Sequence, residues 1–200
     1  MIKGNISFSG NIQCIKNFLF FIYFTLTASL PIYAQQYDPE SGFIFGLTED
    51  GSGTIQIWGY NGSNAEVHIP SSIENISVAQ IRQMAFMGSQ LTSVTIPVSV
   101  RGIGALAFMN SQLANITIPE SIIWIGYRVF MNARLTSVII PDSVTTIGTE
   151  AFAGNPITSI SIGENVSMVV DSFDNNFDIF YNNNGRRAGT YTFSNGKWSF

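Results

Sequence analysis

Cysteine is nearly missing from this 200-residue chain: its one copy, Cys14, lies ahead of an apolar run near the N-terminus. With no second thiol there is no disulfide framework, and C-terminal to that run there is no thiol nucleophile or thiolate metal site. Histidine is equally scarce. His68 by itself supplies neither a metal-binding set nor a base with an assured nucleophile, and no Gly-x-Ser-x-Gly elbow occurs. Charge is sparse, with nine Lys and Arg against 13 Asp and Glu. That acidic balance argues against nucleic acid and against anionic membranes as partners. The apolar run, Phe18 to Leu30, is short of the roughly 20 residues that cross a bilayer.

The order of features at the N-terminus is that of a secretory signal peptide. Lys3 and Lys16 precede the apolar run, and Ile32-Tyr33-Ala34 precede the polar Gln35-Gln36. Residues 1–34 are therefore expected to be removed, leaving an exported chain with no transmembrane segment. Loss of the two lysines lowers nine basic residues to seven against 13 acidic ones.

What the sequence does have is a repeat. From Leu91 to Asn155 it can be written without gaps in rows of 22 residues, LTSVTIPVSVRGIGALAFMNSQ, LANITIPESIIWIGYRVFMNAR and LTSVIIPDSVTTIGTEAFAGNP. Leu91, Leu113 and Leu135 align, as do Pro97, Pro119 and Pro141, then Gly104, Gly126 and Gly148, then Phe108, Phe130 and Phe152. A constant period in this range with leucine-like residues at fixed offsets predicts a stacked solenoid of leucine-rich type. The fold class is thus an α/β repeat that is mostly β, a short right-handed solenoid of parallel strands capped by antiparallel β meanders at both ends.

Each row explains itself physically. Leu91, Val94 and Ile96 frame a short strand that Pro97 ends, because proline has no N–H to donate. Val100 and Ile103 return apolar groups to the inside, and Ala107-Phe108 are expected on a short helical turn. Gly88, Asn110, Asn132 and Gly154 form a column of the two residue types that best tolerate the left-handed conformation. Phe86, Phe108, Phe130 and Phe152 are expected to stack as an internal spine. Residues 70–176 make one divergent repeat, three regular ones and a terminal copy. That last copy has Gly163 in place of proline and lacks one residue before Phe173.

Both flanks read as β. In 35–69 the runs Phe43–Leu47, Thr54–Trp58 and Glu66–Ile69 are separated by Asp50-Gly51-Ser52-Gly53 and Asn61-Gly62-Ser63-Asn64, which favour turns. In 177–200, Ile179–Tyr181, Gly189–Phe193 and Lys197-Trp198 are expected as three further strands.

The repeat form LTSVTIP–SV–IG–AF resembles the treponemal-type, BspA-like leucine-rich repeat family. Gly59-Tyr60-Asn61-Gly62 through Ile69-Pro70 is similar to that family's entry cap. Phe180-Tyr181, Asn184-Gly185, Ala188–Thr192, Gly196 and Trp198 are similar to a C-terminal tail found in treponemal members. The resemblance implies an exported or surface protein, and some relatives act as adhesins for host matrix proteins or other bacteria.

No catalytic, cofactor or metal set is expected. Asp171, Asp174 and Asp178 could offer oxygen ligands to calcium, but their spacing fits no established loop and a solvated turn accounts for them. Two surfaces remain as candidate partner sites. The outward columns of the leucine strands carry Thr92, Ser93, Thr95, Asn115, Thr117, Thr136, Ser137, Ile139, Ser159 and Ser161. Four such strands make a face near 20 by 20 Å, on the order of 400 Å². On another side the middle row has Ile123, Trp124 and Tyr127 where its neighbours have small or polar residues. The functional expectation is an exported, non-enzymatic interaction module that binds a protein on a host or neighbouring cell. A glycan-binding module and a structural component of a cell-surface layer are the alternatives, and self-association through Trp124 is a further possibility.

Overall fold

A computed structural model describes residues 36–37, 42–169 and 171–200. The expected signal segment lies outside the described residues. In chain order the strands are β1 (Gln36–Tyr37), β2 (Phe43–Leu47), β3 (Ile55–Tyr60), β4 (Glu66–His68), β5 (Ser72–Ile73), β6 (Ile76–Ile81), β7 (Ser93–Thr95) and β8 (Gly102–Ile103). They continue as β9 (Trp124–Ile125), β10 (Ser137–Ile140), β11 (Thr146–Ile147), β12 (Ser159–Ile162) and β13 (Ser167–Met168). The helix α1 (Phe177–Asn183) and the strands β14 (Gly189–Ser194) and β15 (Lys197–Ser199) close the chain.

The coils stack in the register the rows predict. Along the leucine strands β4 pairs with β7 in parallel, Val67 opposite Val94. Thr117 bridges Ile139, and β10 pairs with β12 with Ser137 opposite Ser159, one 22-residue period apart. Along the second side β6 pairs in parallel with β8, and β11 with both β9 and β13. Leu91, Leu113, Leu135 and Ile157 are buried at corresponding places in successive coils, with the Val/Ile pairs that follow them. Ser167 is the partner of Thr146 and Met168 that of Ile147, so the residue missing from the last copy was lost between Val166 and Ser167, just ahead of β13.

Phenylalanine forms the axis of the core. Phe86, Phe108, Phe130, Phe152 and Phe173 stack with centroids 5.0, 5.5, 5.3 and 4.7 Å apart and planes within 18° of parallel. Phe177 ends the column edge-on at 5.2 Å.

The backbone beside these rings is not helical. It runs through consecutive turns in which alternate N–H groups serve different carbonyls. Those of Leu106, Phe108 and Asn110 donate to Tyr127, Val129 and Met131 of the next coil, while those of Ala107, Met109 and Ser111 donate locally to Gly104, Leu106 and Phe108. This alternation requires left-handed backbone at two places per coil. One is the expected column, Gly88, Asn110, Asn132 and Gly154, with φ between 54° and 72°. The other, Met84, Leu106, Arg128 and Glu150 at φ 51–62°, carries no residue that favours the conformation.

The glycine column has a separate cause. A β-carbon at Gly104 would lie 2.3 Å from the Gln83 nitrogen of the preceding coil, so only glycine lets these backbones meet.

The two caps differ from the expected meanders in one element each. At the entry, β2 and β3 are antiparallel as predicted, and β1, which the sequence did not suggest, pairs antiparallel with β2, but β4 leaves the meander. It opens the leucine face instead, while β3 runs parallel to β6 and so extends the second sheet. At the exit, Ile179–Tyr181 is helical. Phe177 and Tyr181 are four residues apart and buried, and Ile179 between them is 54% exposed, which is a helical and not a strand period. The last two strands form the expected hairpin, turning at Asn195-Gly196 with both φ positive. That hairpin adds to the leucine face, β14 pairing antiparallel with β12.

Phe177, Tyr181, Tyr191 and Trp198 form the core of the exit cap. The Tyr181 hydroxyl donates to Gly163 O at 2.6 Å and that of Tyr191 to Arg187 O at 2.7 Å.

Removing one ring from the middle of the spine should cost about 3–5 kcal/mol, since coils on both sides are held in place and cannot close the void. Phe130→Ala is therefore expected to lower the melting temperature by roughly 10 °C, and a melt within two or three degrees of wild type would contradict the stacked register. The exit cap makes a second expectation. Burial raises Tyr181 and Tyr191 above their ordinary value of 10.0. Their contribution is therefore complete below pH 10 and is lost as the pH rises through the folded values. Urea midpoints should fall above pH 10, and less steeply in the Tyr181→Phe/Tyr191→Phe double variant.

Candidate functional site

The leucine strands present an outward face that is wider than the repeats alone provide, built from two ladders, β4 with β7 and the Thr117 segment with β10, β12, β14 and β15. In coil order it comprises β4, β7, the segment around Thr117, β10 and β12, followed by the hairpin strands β14 and β15. One row runs Glu66, Ser93, Asn115, Ser137, Ser159, Thr192 and Ser199, and a second runs His68, Thr95, Thr117, Ile139, Ser161 and Thr190. Seven segments about 4.8 Å apart span roughly 30 Å, which brings the face to on the order of 600 Å². Sequence reasoning missed Glu66, His68, Thr190, Thr192 and Ser199. The alternation of β4, β14 and β15 carried their signal, but nothing local says which sheet a cap strand or hairpin will join.

Most of this face is hydroxyl and amide, cross-bonded between strands. His68 Nδ1 lies 2.9 Å from Thr95 Oγ1, Ser137 Oγ donates to Asn115 Oδ1 at 3.0 Å, and Thr192 Oγ1 and Ser199 Oγ are 3.0 Å apart. The imidazole beside a hydroxyl is a cross-strand pair on an open sheet. Among the described residues no other hydrogen bond orients that ring.

Thr92, Thr136 and Thr158 have a different job. Each hydroxyl donates to a carbonyl of the preceding coil, Ala65, Ala114 and Thr136 in turn. They knit coils together at the strand entry. Within the two outward rows Ile139 stands out. It lies on the fourth of the seven segments, between Thr117 and Ser161, and is 62% exposed.

The second candidate surface lies on β9 and the turn after it. Ile123, Trp124 and Tyr127 are 56, 51 and 42% exposed. The Trp124 ring folds over Gly126, where a β-carbon would fall 2.6 Å from Cζ3. One face of Tyr127 is covered by the Arg128 guanidinium, 4.7 Å from the ring centroid, and Arg128 is fixed by an ion pair with Glu150. That pairing also holds the guanidinium in its charged form. At this point the ladder is interrupted: β9 pairs with β11 but not with β8.

The carboxylates considered for calcium differ in their placement. Asp174 Oδ2 accepts the Gly154 N–H at 2.8 Å, Asp178 is buried in the first turn of α1, and Asp171 is exposed with φ 64°. Among the described residues no group of three or more His, Cys, Asp or Glu is placed to hold a metal ion. The Asp50–Gly53 loop is a hairpin turn: Asp50 Oδ1 accepts the Ser52 N–H at 3.0 Å, and hydrogen bonds from Ser52 pull Asp50 down to about 2.

Parallel coils of fixed length, a leucine-led strand in each, a stacked phenylalanine column and an open strand face define a leucine-rich repeat solenoid. A family model for the BspA type leucine-rich repeat region matches residues 60–185 in six copies, and the chain belongs to that family. Among solved structures it is similar to a leucine-rich repeat protein of T. pallidum, 30% identical with a TM-score of 0.61, over 67% of this chain and 64% of that one. It is also similar to a leucine-rich repeat protein of Bacteroides capillosus, 26% identical with a TM-score of 0.55, over 66% of this chain and 99% of that one. A third, from Bacteroides ovatus, is 28% identical with a TM-score of 0.52, over 66% of this chain and 41% of that one. The chain thus spans less than two thirds of the T. pallidum protein. Comparison with curated proteins gives no match. Leucine-rich repeats of this kind are generally modules for protein interaction and are typically not enzymes. Among the described residues no helix is long and apolar enough to cross a membrane.

Proposed function

We propose that this protein is exported and acts without catalysis, its leucine-strand face holding a protein on a host or neighbouring cell. The observation that carries the reading is the face itself, an uncharged hydroxyl-rich sheet broadened by the exit hairpin, with one exposed isoleucine at its centre. Its rim has charge, Glu66 at one end and Lys197 at the other. A central apolar anchor ringed by polar groups is the arrangement in which single residues dominate binding. A stable interface usually takes about 800 Å² from each partner. A face on the order of 600 Å² therefore favours modest affinity, strengthened when several copies engage together. Export is supported by the charged, apolar and cleavage-like order of residues 1–34.

Two measurements test this. Protease added to intact producing cells should degrade the chain if it is displayed outside. Immobilised chain should capture at least one component from a panel of purified matrix proteins and bacterial surface proteins, and Ile139→Glu should weaken that capture at least tenfold. Equal capture by Ile139→Glu and wild type would show that the strand face is not the binding surface.

A further inference from the structure

We infer that Trp124 and Tyr127 form a stacking platform for a sugar ring of a glycan or polysaccharide, a site separate from the leucine-strand face. A pyranose has a face of C–H bonds and an edge of hydroxyls. Its natural counterpart is an aromatic face, which is electron-rich, with hydroxyl or guanidinium groups alongside. Both halves of that description are present. Trp124 is half exposed although it is the bulkiest residue on its sheet, because its register partner is Thr146 and the equivalent residue one coil earlier is Gly102. The ring therefore rises above a low floor.

Both rings are held before any ligand arrives. Trp124 rests on Gly126, and Tyr127 is backed by Arg128, itself tied to Glu150. Rigid aromatics lose little freedom on binding, which is why they dominate recognition surfaces. Exposed polar groups flank the pair: Arg101 in the coil before, Thr145 and Thr146 in the coil after. Thr145 Oγ1 donates to Ile123 O at 3.2 Å and keeps its lone pairs for a further donor.

Size decides against a protein partner here. Three side chains about half exposed offer roughly 300 Å² of apolar area, well under the approximately 800 Å² that a stable dimer needs from each copy. That area and its polar border suit a short stretch of sugar. The glycine column adds a reason for the location: a side chain at Gly126 would push Trp124 off its support.

The test is retention of the chain on a printed array of bacterial and host glycans. Wild type is expected on at least one class of spot, with loss of at least tenfold for Trp124→Ala and for Tyr127→Ala. Trp124→Phe, which keeps a ring and the fold, should fall between. Ile139→Glu should bind glycans as wild type does, so failure of the strand-face reading and failure of this one are told apart. Three results would overturn the proposal: no retention of wild type on any glycan, equal retention by Trp124→Ala, or a concentration-dependent dimer in sedimentation that Trp124→Ala abolishes. The last would show that a second copy covers the rings.

Discussion

Every coil of this protein has to offer its backbone donors and acceptors at the same height as the coil beneath it. The tightest expression of that demand is along the phenylalanine edge. There, alternate N–H groups cross to the next coil while the rest close local turns. The aromatic column fixes the spacing, since rings about 5 Å apart and nearly parallel leave one separation at which both the stack and the hydrogen bonds are satisfied. A coil one residue longer on this edge would leave these donors without a carbonyl opposite them. The loss of one residue just ahead of β13 is absorbed, because Met168 still takes its place in the isoleucine column beside Ile147. Length is therefore conserved where backbone and ring meet and relaxed where they do not.

Stacking leaves two raw ends, and they are sealed through different sheets. The entry hairpin extends the second sheet by way of β3 and β6, whereas the exit hairpin extends the leucine face by way of β12 and β14. The second sheet thus gains strands at the entry, and the leucine face gains β4 at the entry and the hairpin at the exit. As a consequence, the face that carries Ile139 is widened by residues that belong to no repeat. Phe177 performs the matching service for the core, turning edge-on to the last stacked ring and bringing Tyr181, Tyr191 and Trp198 around it.

How much of this was legible depended on whether the cause was chemical identity or position. The stacked phenylalanines, the buried Leu/Val/Ile frame and the Gly/Asn left-handed column could be read because each required a residue type that recurs every 22 positions. The second left-handed column could not. Met84, Leu106, Arg128 and Glu150 have nothing in common, and an ordinary residue there costs about 1–2 kcal/mol, which the ladder to the next coil offsets. The helix at Phe177–Asn183 was hidden for another reason. Ile179-Phe180-Tyr181 has strand composition, and only the spacing of Phe177 to Tyr181 reveals the helical period. Of the candidate surfaces, the polar columns and the Ile123–Trp124–Tyr127 departure were visible, but the division of labour among the hydroxyls was not. Thr92, Thr136 and Thr158 bond backward to the previous coil, and that depends on geometry which threonine's identity does not reveal.

A repeat also constrains where function can reside. A residue that recurs in every coil is already required by the stacking: the leucines, the phenylalanines, the glycines and the threonines that bond backward all have structural duties. Recognition of one partner at one place needs features that occur once. Outward columns are free to supply them, because a change there alters neither the ring spacing nor the ladder. Exposed apolar departures include Val98, where the next two coils have Glu120 and Asp142, and two that lie on or beside the sheets. Ile139 replaces Thr95 and Thr117 in its column, and Ile123, Trp124 and Tyr127 replace residues that are small or polar in the coils on either side. Both occur on coils with a neighbour on each side, where the surrounding surface is complete, and on different sheets. The first is set in a broad hydroxyl sheet that suits a protein. The second is a pair of braced rings above a glycine and a threonine, a shape that suits a smaller and more hydroxylated ligand.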